Sequence, residues 1–283
     1  MLPKTWPELP PQALGPGQRV YFASDFHLGV PDAATSRERE RRVVRWLTEA
    51  ARDAVAIYLL GDIFDFWFEY KHAIPRGFSR LQGKLAELTD AGLPITLFTG
   101  NHDMWMFNYF TEEMGIPVLR EPVAQRIGDK LFYLGHGDGL GPGDFAYKRL
   151  MKPVFNSPLM QWLFARLHPN FGIGIANRWS RHSRLSNGAA DEKYFGEDEW
   201  LLQYCRAVEQ QRHHDYYVFG HRHLPLDVEV VPGSRYLNLG EWVNYCTYGV
   251  YDGNQLVLRE FEKESGAAGS SRRAAGPRGP GAN

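Results

Sequence analysis

Apolar positions along this chain gather in short runs that stop abruptly at a glycine or a serine. Arg19 to Ala23, Val55 to Leu60, Pro94 to Thr99, Lys130 to Leu134 and Tyr216 to Phe219 follow this pattern. Runs so continuously apolar suit strands buried on both faces. Between them, Ser36 to Ala54 sets Val43, Val44, Trp46, Leu47 and Ala50 among many charges. That spacing predicts an amphipathic helix, with Ser36 as its N-cap and Glu38 and Glu40 in its first turn. Phe78 to Ala91 predicts a second helix. After residue 219 the helical period fades. Leu226 to Val231, Ser234 to Leu239, Thr247 to Tyr251 and Gln255 to Phe261 read as successive strands joined by turns such as Asp252-Gly253-Asn254. Strands alternating with helices, then a run of strands, indicate a layered α/β fold.

Three stretches break the rhythm. Residues 1–18 are proline-rich and read as an irregular lead-in. Nearly eighty residues without a clear strand separate Asp138 from Tyr216, and their aromatic-rich part, Asp144 to Leu167, predicts helices. A loop so long in a compact domain is functional or carries structure of its own; residues 142–200 are expected to form a helical cap over a site. Residues 263–283, mostly Gly, Ala, Ser, Pro and Arg, cannot bury enough apolar area to order themselves and are expected to form a disordered tail. The remainder, 19–262, is one domain.

Composition narrows the picture only slightly. With 283 residues, 43% of them hydrophobic and a formal net charge of -1, the chain can bury a sizeable core and has no global basic field for nucleic acid. The two cysteines, Cys205 and Cys246, have no motif spacing and fit a reducing compartment. The N-terminus lacks a basic start followed by an apolar core, and no stretch approaches the ~20 apolar residues of a membrane span. These features predict a cytoplasmic protein that touches a membrane, if at all, peripherally.

The chemistry lies at the ends of the five runs. There stand Ser24-Asp25-Phe26-His27, Gly61-Asp62-Ile63-Phe64-Asp65, Gly100-Asn101-His102-Asp103, Gly135-His136-Gly137-Asp138 and Gly220-His221-Arg222-His223. Carboxylate, amide oxygen and imidazole without thiolate is the donor mixture of a hard divalent cation. Asp25 and His27 lie two apart, as do His221 and His223, so on extended strands each pair would share a face. Asp62 could bridge two cations; Asn101 offers a neutral oxygen and His136 a nitrogen. A site of this kind hydrolyses a phosphate ester or anhydride by in-line attack of an activated water.

The series resembles the calcineurin-like metallophosphoesterase superfamily over roughly residues 19–262. The resemblance implies a four-layer αββα sandwich and two divalent ions, with manganese foremost and iron or zinc as alternatives. It implies that Asp25, His27, Asp62 and His223 hold one ion and Asp62, Asn101, His136 and His221 the other. It also implies that His102, held by Asp103, stands beside the reacting group. Within the superfamily the chain is most similar to the UDP-2,3-diacylglucosamine pyrophosphatases of lipid A synthesis, through Phe66-Trp67-Phe68 after the second motif, His136-Gly137-Asp138-Gly139-Leu140 with the later Asp144, and the helical insertion. That resemblance implies an acylated sugar-nucleotide substrate, peripheral contact with the cytoplasmic face of the inner membrane, and a cap that shelters acyl chains. Asp144, Lys148, Arg149, Arg178, Arg181, Arg184 and Arg222 become the expected substrate contacts. Two positions depart from the pattern: His102 stands where the best-known members carry arginine, and Arg222 where they carry threonine. These departures keep open a phosphodiester or phosphomonoester of another class, such as a nucleotide, nucleic acid or phosphoprotein.

Overall fold

Strand alternation explains the architecture of the computed structural model, which describes residues 7–142, 152–175 and 193–262. In β2 (Arg19–Ala23), Val20 and Phe22 enter one core while Tyr21 and Ala23 enter another. In β3 (Ala54–Leu60), Ala56, Tyr58 and Leu60 join the first core, and Ile57 and Leu59 the second. A strand apolar on both faces needs a layer on each side. One layer is a second sheet, which meets Phe22 and Tyr58 with Phe132, Val218 and Leu237. The other holds helices α1 (Ala33–Ala50) and α2 (Ser79–Asp90), through Trp46, Leu47 and Leu85.

The first sheet runs β12 (Leu256–Glu260), β11 (Thr247–Tyr251), β2, β3, β4 (Ile95–Phe98) and, after helix α3 (Tyr109–Met114), β5 (Val118–Leu119). The second runs β1 (Glu8–Gln12), β6 (Val123–Ile127), β7 (Lys130–Leu134), β8 (Tyr216–Phe219), β10 (Ser234–Leu239) and β9 (Pro225–Val231). Its outer face is covered by α6 (Trp200–Glu209), through Leu201, Cys205 and Val208. The order is therefore helix, sheet, sheet, helix, the expected four layers. β2, β3 and β4 pair in parallel, as do β7 and β8, so their C-terminal ends open at one edge of each sheet.

Several elements depart from the sequence reading. α1 begins at Ala33, not Ser36, because Asp32 caps it by accepting the amides of Ala34 and Thr35. Ser36 is buried inside the helix, where its hydroxyl accepts the Gly29 amide at 2.8 Å. Glu40 is buried too and caps α2 from outside: it accepts the amides of Arg80 (2.8 Å) and Leu81 (3.1 Å), since Phe78 offers that helix no side-chain cap. The lead-in holds a strand, β1, parallel to β6. Pro10 and Pro11 are tolerated there because an edge strand leaves half its amides without a ladder partner. β6 itself escapes an apolar-run reading because Gln125 interrupts it; its side-chain amide donates to the Pro10 carbonyl at 2.9 Å.

Between β7 and β8, residues 152–175 are largely helical. α4 (Lys152–Phe155), α5 (Pro158–Phe164) and a further helical stretch at 169–175 lie against an aromatic shelf. Trp105 donates its indole N–H to the Phe155 carbonyl at 2.8 Å and packs on Phe164, which also meets Phe66 and Phe68. The predicted contacts Asp144, Lys148, Arg149, Arg178, Arg181 and Arg184 lie outside the described residues, as does the 263–283 tail.

Behind the second sheet, His214 is buried beside Tyr217, whose hydroxyl donates to Glu209 at 2.6 Å. Burial lowers the His214 imidazole to about 4. Between that value and the ordinary ~6.5 the unfolded chain binds the extra proton, so stability present at neutral pH is lost as pH falls through this window. From pH 7 to pH 5 the loss is roughly 2 kcal/mol. Urea unfolding at the two pH values should show His214→Gln with a pH dependence flatter by about that amount; an equal slope would refute it.

Candidate metal centre

Backbone turns, more than strands, aim the donors. Asp25, His27, Asp62, His221 and His223 all lie beyond their strands with φ between 45° and 68°. They are five of the eight non-glycine residues with positive φ among those described. Left-handed conformations cost such residues of order 1 kcal/mol or more and cluster where the surroundings enforce them. Here the enforcement is visible. The Asp25 amide donates to the Gly61 carbonyl at 3.0 Å, the His27 amide to the Asp62 carbonyl at 2.9 Å, and buried Arg39 of α1 donates to the carbonyls of Phe26, His27 and Val30. The shared-face expectation for each Asp–His and His–His pair is thus corrected: turns, not strand alternation, aim these side chains.

Close approach explains two of the glycines. A Cβ on Gly100 would overlap the Asp62 carboxylate, and one on Gly220 would overlap that of Asp25. Only hydrogen leaves these carboxylates room beside the neighbouring loops.

Asp25, His27, Asp62 and His223 bring one ligand atom each within 4.8 Å of one another. The Nε2 atoms of His27 and His223 face each other at 3.0 Å, and His223 Nε2 lies 3.3 Å from Asp25 Oδ1. Two ring nitrogens so close, with carboxylates around them, are the edge of a coordination shell: bonds of ~2.1 Å at right angles put ligand atoms about 3 Å apart. Next to them, Asn101 Oδ1 lies 2.9 Å from His221 Nδ1 and 3.3 Å from His136 Nε2, and His136 Nε2 lies 3.3 Å from Asp62 Oδ2. His136 Nδ1 is 2.7 Å from the Leu60 carbonyl, which holds a proton on Nδ1 and turns Nε2 inward. All seven predicted ligands therefore meet, and the donor chemistry fits divalent cations. Asp25, His27, Asp62 and Asn101 come from the first sheet and His136, His221 and His223 from the second.

Charge within the cluster is strongly coupled. Burial opposes the charge of Asp62, yet the imidazoles of His136, His102 and His27 hold it well below the usual carboxylate range. Burial also opposes protonation of His136, but the Asp62, Asp25 and Asp138 carboxylates raise it well above an ordinary histidine. Both shifts favour an ionised carboxylate facing a cation, the polarity that a positively charged ion needs.

One of the expected roles changes. Asp103 was expected to hold His102. Its oxygens instead accept backbone amides of Gly100 (2.7 Å), Ile63 (2.8 Å), Asp62 (3.3 Å) and Phe64 (3.3 Å), tying the second and third motif loops together. It is fully buried, and burial together with the Asp62 charge raises it to about 7. Asp65, passed over in the sequence reading, takes the orienting task. Its carbonyl faces His102 Nδ1 at 3.1 Å, and its carboxylate lies 3.7 Å from that atom and 3.8 Å from His27 Nδ1. The signal was present, since Asp65 closes the motif that holds Asp62. His102 itself is partly exposed at the rim, its ring edge-on to His27 at 5.0 Å.

Arg222 is also corrected. Placed between two ligands, it was expected to face substrate or solvent. It is fully buried, with Nε 2.6 Å from Glu199 Oε1 and a terminal nitrogen 2.8 Å from the Lys193 carbonyl. Its guanidinium lies over the Trp200 ring at 4.6 Å.

Residues 18–225 match the family model described as calcineurin-like phosphoesterase. The chain is 40% identical over 258 residues to the UDP-2,3-diacylglucosamine hydrolase of Porphyromonas gingivalis, covering 86% of this chain and 98% of that protein. It is 32% identical over 168 residues to the protein of the same name from Edwardsiella ictaluri (59% of this chain, 62% of that one). With the Proteus mirabilis protein of that name the identity is 30% over 225 residues, covering 78% and 90%.

Proposed function

This chain belongs to the calcineurin-like phosphoesterase family, and from that premise we propose that it hydrolyses the pyrophosphate bond of UDP-2,3-diacylglucosamine to UMP and 2,3-diacylglucosamine 1-phosphate, a step of lipid A synthesis. The observation that carries the hydrolytic chemistry is the meeting of seven oxygen and nitrogen donors from two sheets at one point. The choice of substrate is supported by the Porphyromonas gingivalis relative, matched over 98% of its length.

Two divalent cations, manganese foremost, would be held by Asp25, His27, Asp62 and His223 and by Asp62, Asn101, His136 and His221. When bound, such ions supply Lewis acidity toward water and the phosphoryl oxygens. The chain's own groups do the rest. The carbonyls of Asp65 and Leu60 fix the tautomers of His102 and His136. His102, standing at the rim, hydrogen-bonds the bridging oxygen as the phosphorus–oxygen bond to the sugar phosphate breaks.

Helices α4 and α5 serve as part of the cap. Leu159, Trp162 and Leu163 leave α5 largely exposed (63%, 53% and 45%), as does Phe171 beyond it (61%). That surface suits acyl chains and a peripheral position at the cytoplasmic face of the inner membrane. Among the described residues no helix is long and apolar enough to cross a membrane.

The reading is tested by manganese-dependent turnover of the acylated sugar nucleotide. Efficient cleavage of simple nucleotides with poor turnover of the lipid substrate would overturn it. The same assay examines His102. A sugar phosphate is a good leaving group, so a fixed cation suffices where an alkoxide would need a proton donor. His102→Ala should lower kcat by about a hundredfold, whereas His102→Arg should keep most of it. Equal losses in both would exclude a purely cationic role.

A further inference from the structure

We propose that Arg222 is a positioning residue: through it, the arm that closes the helical insertion, residues 193–200, sets the three ligands of the second sheet, so that docking of the arm and binding of metal are linked. This rests on the two-ion reading of the centre and adds what governs its occupancy.

The arm has no strand to hold it. A short 3-10 turn, Gly196–Asp198, leads into α6 at Trp200. One side chain from the fifth motif fastens it at four points. Arg222 Nε lies 2.6 Å from Glu199 Oε1, and a terminal nitrogen donates to the Lys193 carbonyl at 2.8 Å. The guanidinium also lies over the rings of Trp200 (4.6 Å) and Phe195 (5.4 Å). A planar fork can bond and stack at once, which an ammonium cannot. Threonine, carried there by the best-known members, has neither the charge nor the length for these contacts.

The same arm bears on the fourth motif. A Cβ on Gly141 would overlap the Trp200 carbonyl, and one on Gly137 would lie 3.1 Å from Leu201 and 3.4 Å from the His221 Cβ. Gly137 follows His136, and Arg222 stands between His221 and His223. The arm and the start of α6 thus touch both loops that carry second-sheet ligands. The first-sheet ligands have their own supports: Arg39 holds the carbonyls of Phe26 and His27, and Asp103 ties the loops of Asp62 and Asn101 together.

The two proposed ligand sets therefore depend on the arm unequally. Asp62, Asn101, His136 and His221 include two second-sheet imidazoles, whereas Asp25, His27, Asp62 and His223 include one. Loosening the arm weakens the first set more. The coupling is reciprocal: what docking of the arm adds to metal affinity, metal adds to docking of the arm.

The test begins with amide hydrogen exchange of the full wild-type chain, with and without manganese. Manganese should slow exchange of the peptide spanning 193–203 about tenfold, while α2, behind the first sheet, keeps its rates. Equal slowing in α2 would mean only global stabilisation, and an arm that exchanges as before would mean no linkage; either overturns the proposal. The second part compares wild type with Arg222→Lys, which keeps the charge beside Glu199 but loses the fork and the stacking, and with Arg222→Met combined with Glu199→Leu. Electron paramagnetic resonance should show two coupled manganese ions in wild type. In both variants one ion should bind at least about tenfold more weakly, leaving the signal of an isolated ion at the same free manganese. A coupled pair at wild-type affinity in both variants overturns the assignment of Arg222. If wild type itself binds a single ion, the two-ion reading falls, and the exchange measurement still decides whether arm and metal are linked.

Discussion

Asp62→Asn is expected to lower turnover at least about a thousandfold while leaving the fold intact. The carboxylate sits where the two ligand sets meet. Its Oδ1 accepts the His102 amide at 2.8 Å, and its Oδ2 lies 3.3 Å from His136 and 3.9 Å from His27. An asparagine of the same shape keeps the bond to His102 with its oxygen. Its NH2 then points into the cluster, where a donor meets other donors and repels a cation. The negative charge that the surrounding imidazoles stabilise is lost as well. The check has three parts: kcat on the lipid substrate, metal content of the purified protein, and the thermal midpoint without metal. Loss of activity with full metal content would move Asp62 from ligand to another role. Retained activity would remove the proposed centre altogether.

The second large effect is thermodynamic and lies outside the donor set. Arg222 and Glu199 form an ion pair with no solvent exposure on either side. Removing one partner leaves a buried charge, and such losses run to about 3–5 kcal/mol. Glu199→Ala is therefore expected to destabilise the protein by an amount in that range and to loosen the flanking ligands. His221 and His223 are held in left-handed conformations on either side of Arg222, so metal affinity should fall together with stability. Replacing both partners, as Arg222→Met with Glu199→Leu, should restore much of the stability, because two apolar groups in that space leave no charge unpaired. Denaturant unfolding and metal titration of both single variants and the double variant form the cycle that decides. Independent, additive losses would show that the pair does not act as a unit.

The departures from the sequence reading have a common origin. A strand buried on both faces announces itself by an unbroken apolar run, so β2, β3, β4, β7 and β8 and the motifs at their ends could be read directly. The edge strands β9 and β12 were legible as well, but β1 hides behind its prolines. Partners distant in sequence are equally silent. Nothing local in Arg222 points to Glu199, twenty-three positions earlier, or in Glu40 to the amides of Arg80 and Leu81. The family resemblance assigned the support of His102 to Asp103, whereas the turn of the third motif sends Asp103 inward to the backbone and puts the Asp65 carbonyl beside His102. Residue types and their strand ends were legible; the direction each side chain takes after a left-handed turn was not.

The division of the donors between two sheets has a developmental meaning for the molecule. A chain that has assembled only its first sheet offers Asp25, His27, Asp62 and Asn101, while the three remaining imidazoles are still elsewhere. Such a half-built species would carry only four of the seven donors and could not complete the site. Onset of catalysis during refolding therefore reports the final docking of the sandwich, and a partly assembled chain stays silent toward any phosphoanhydride it meets.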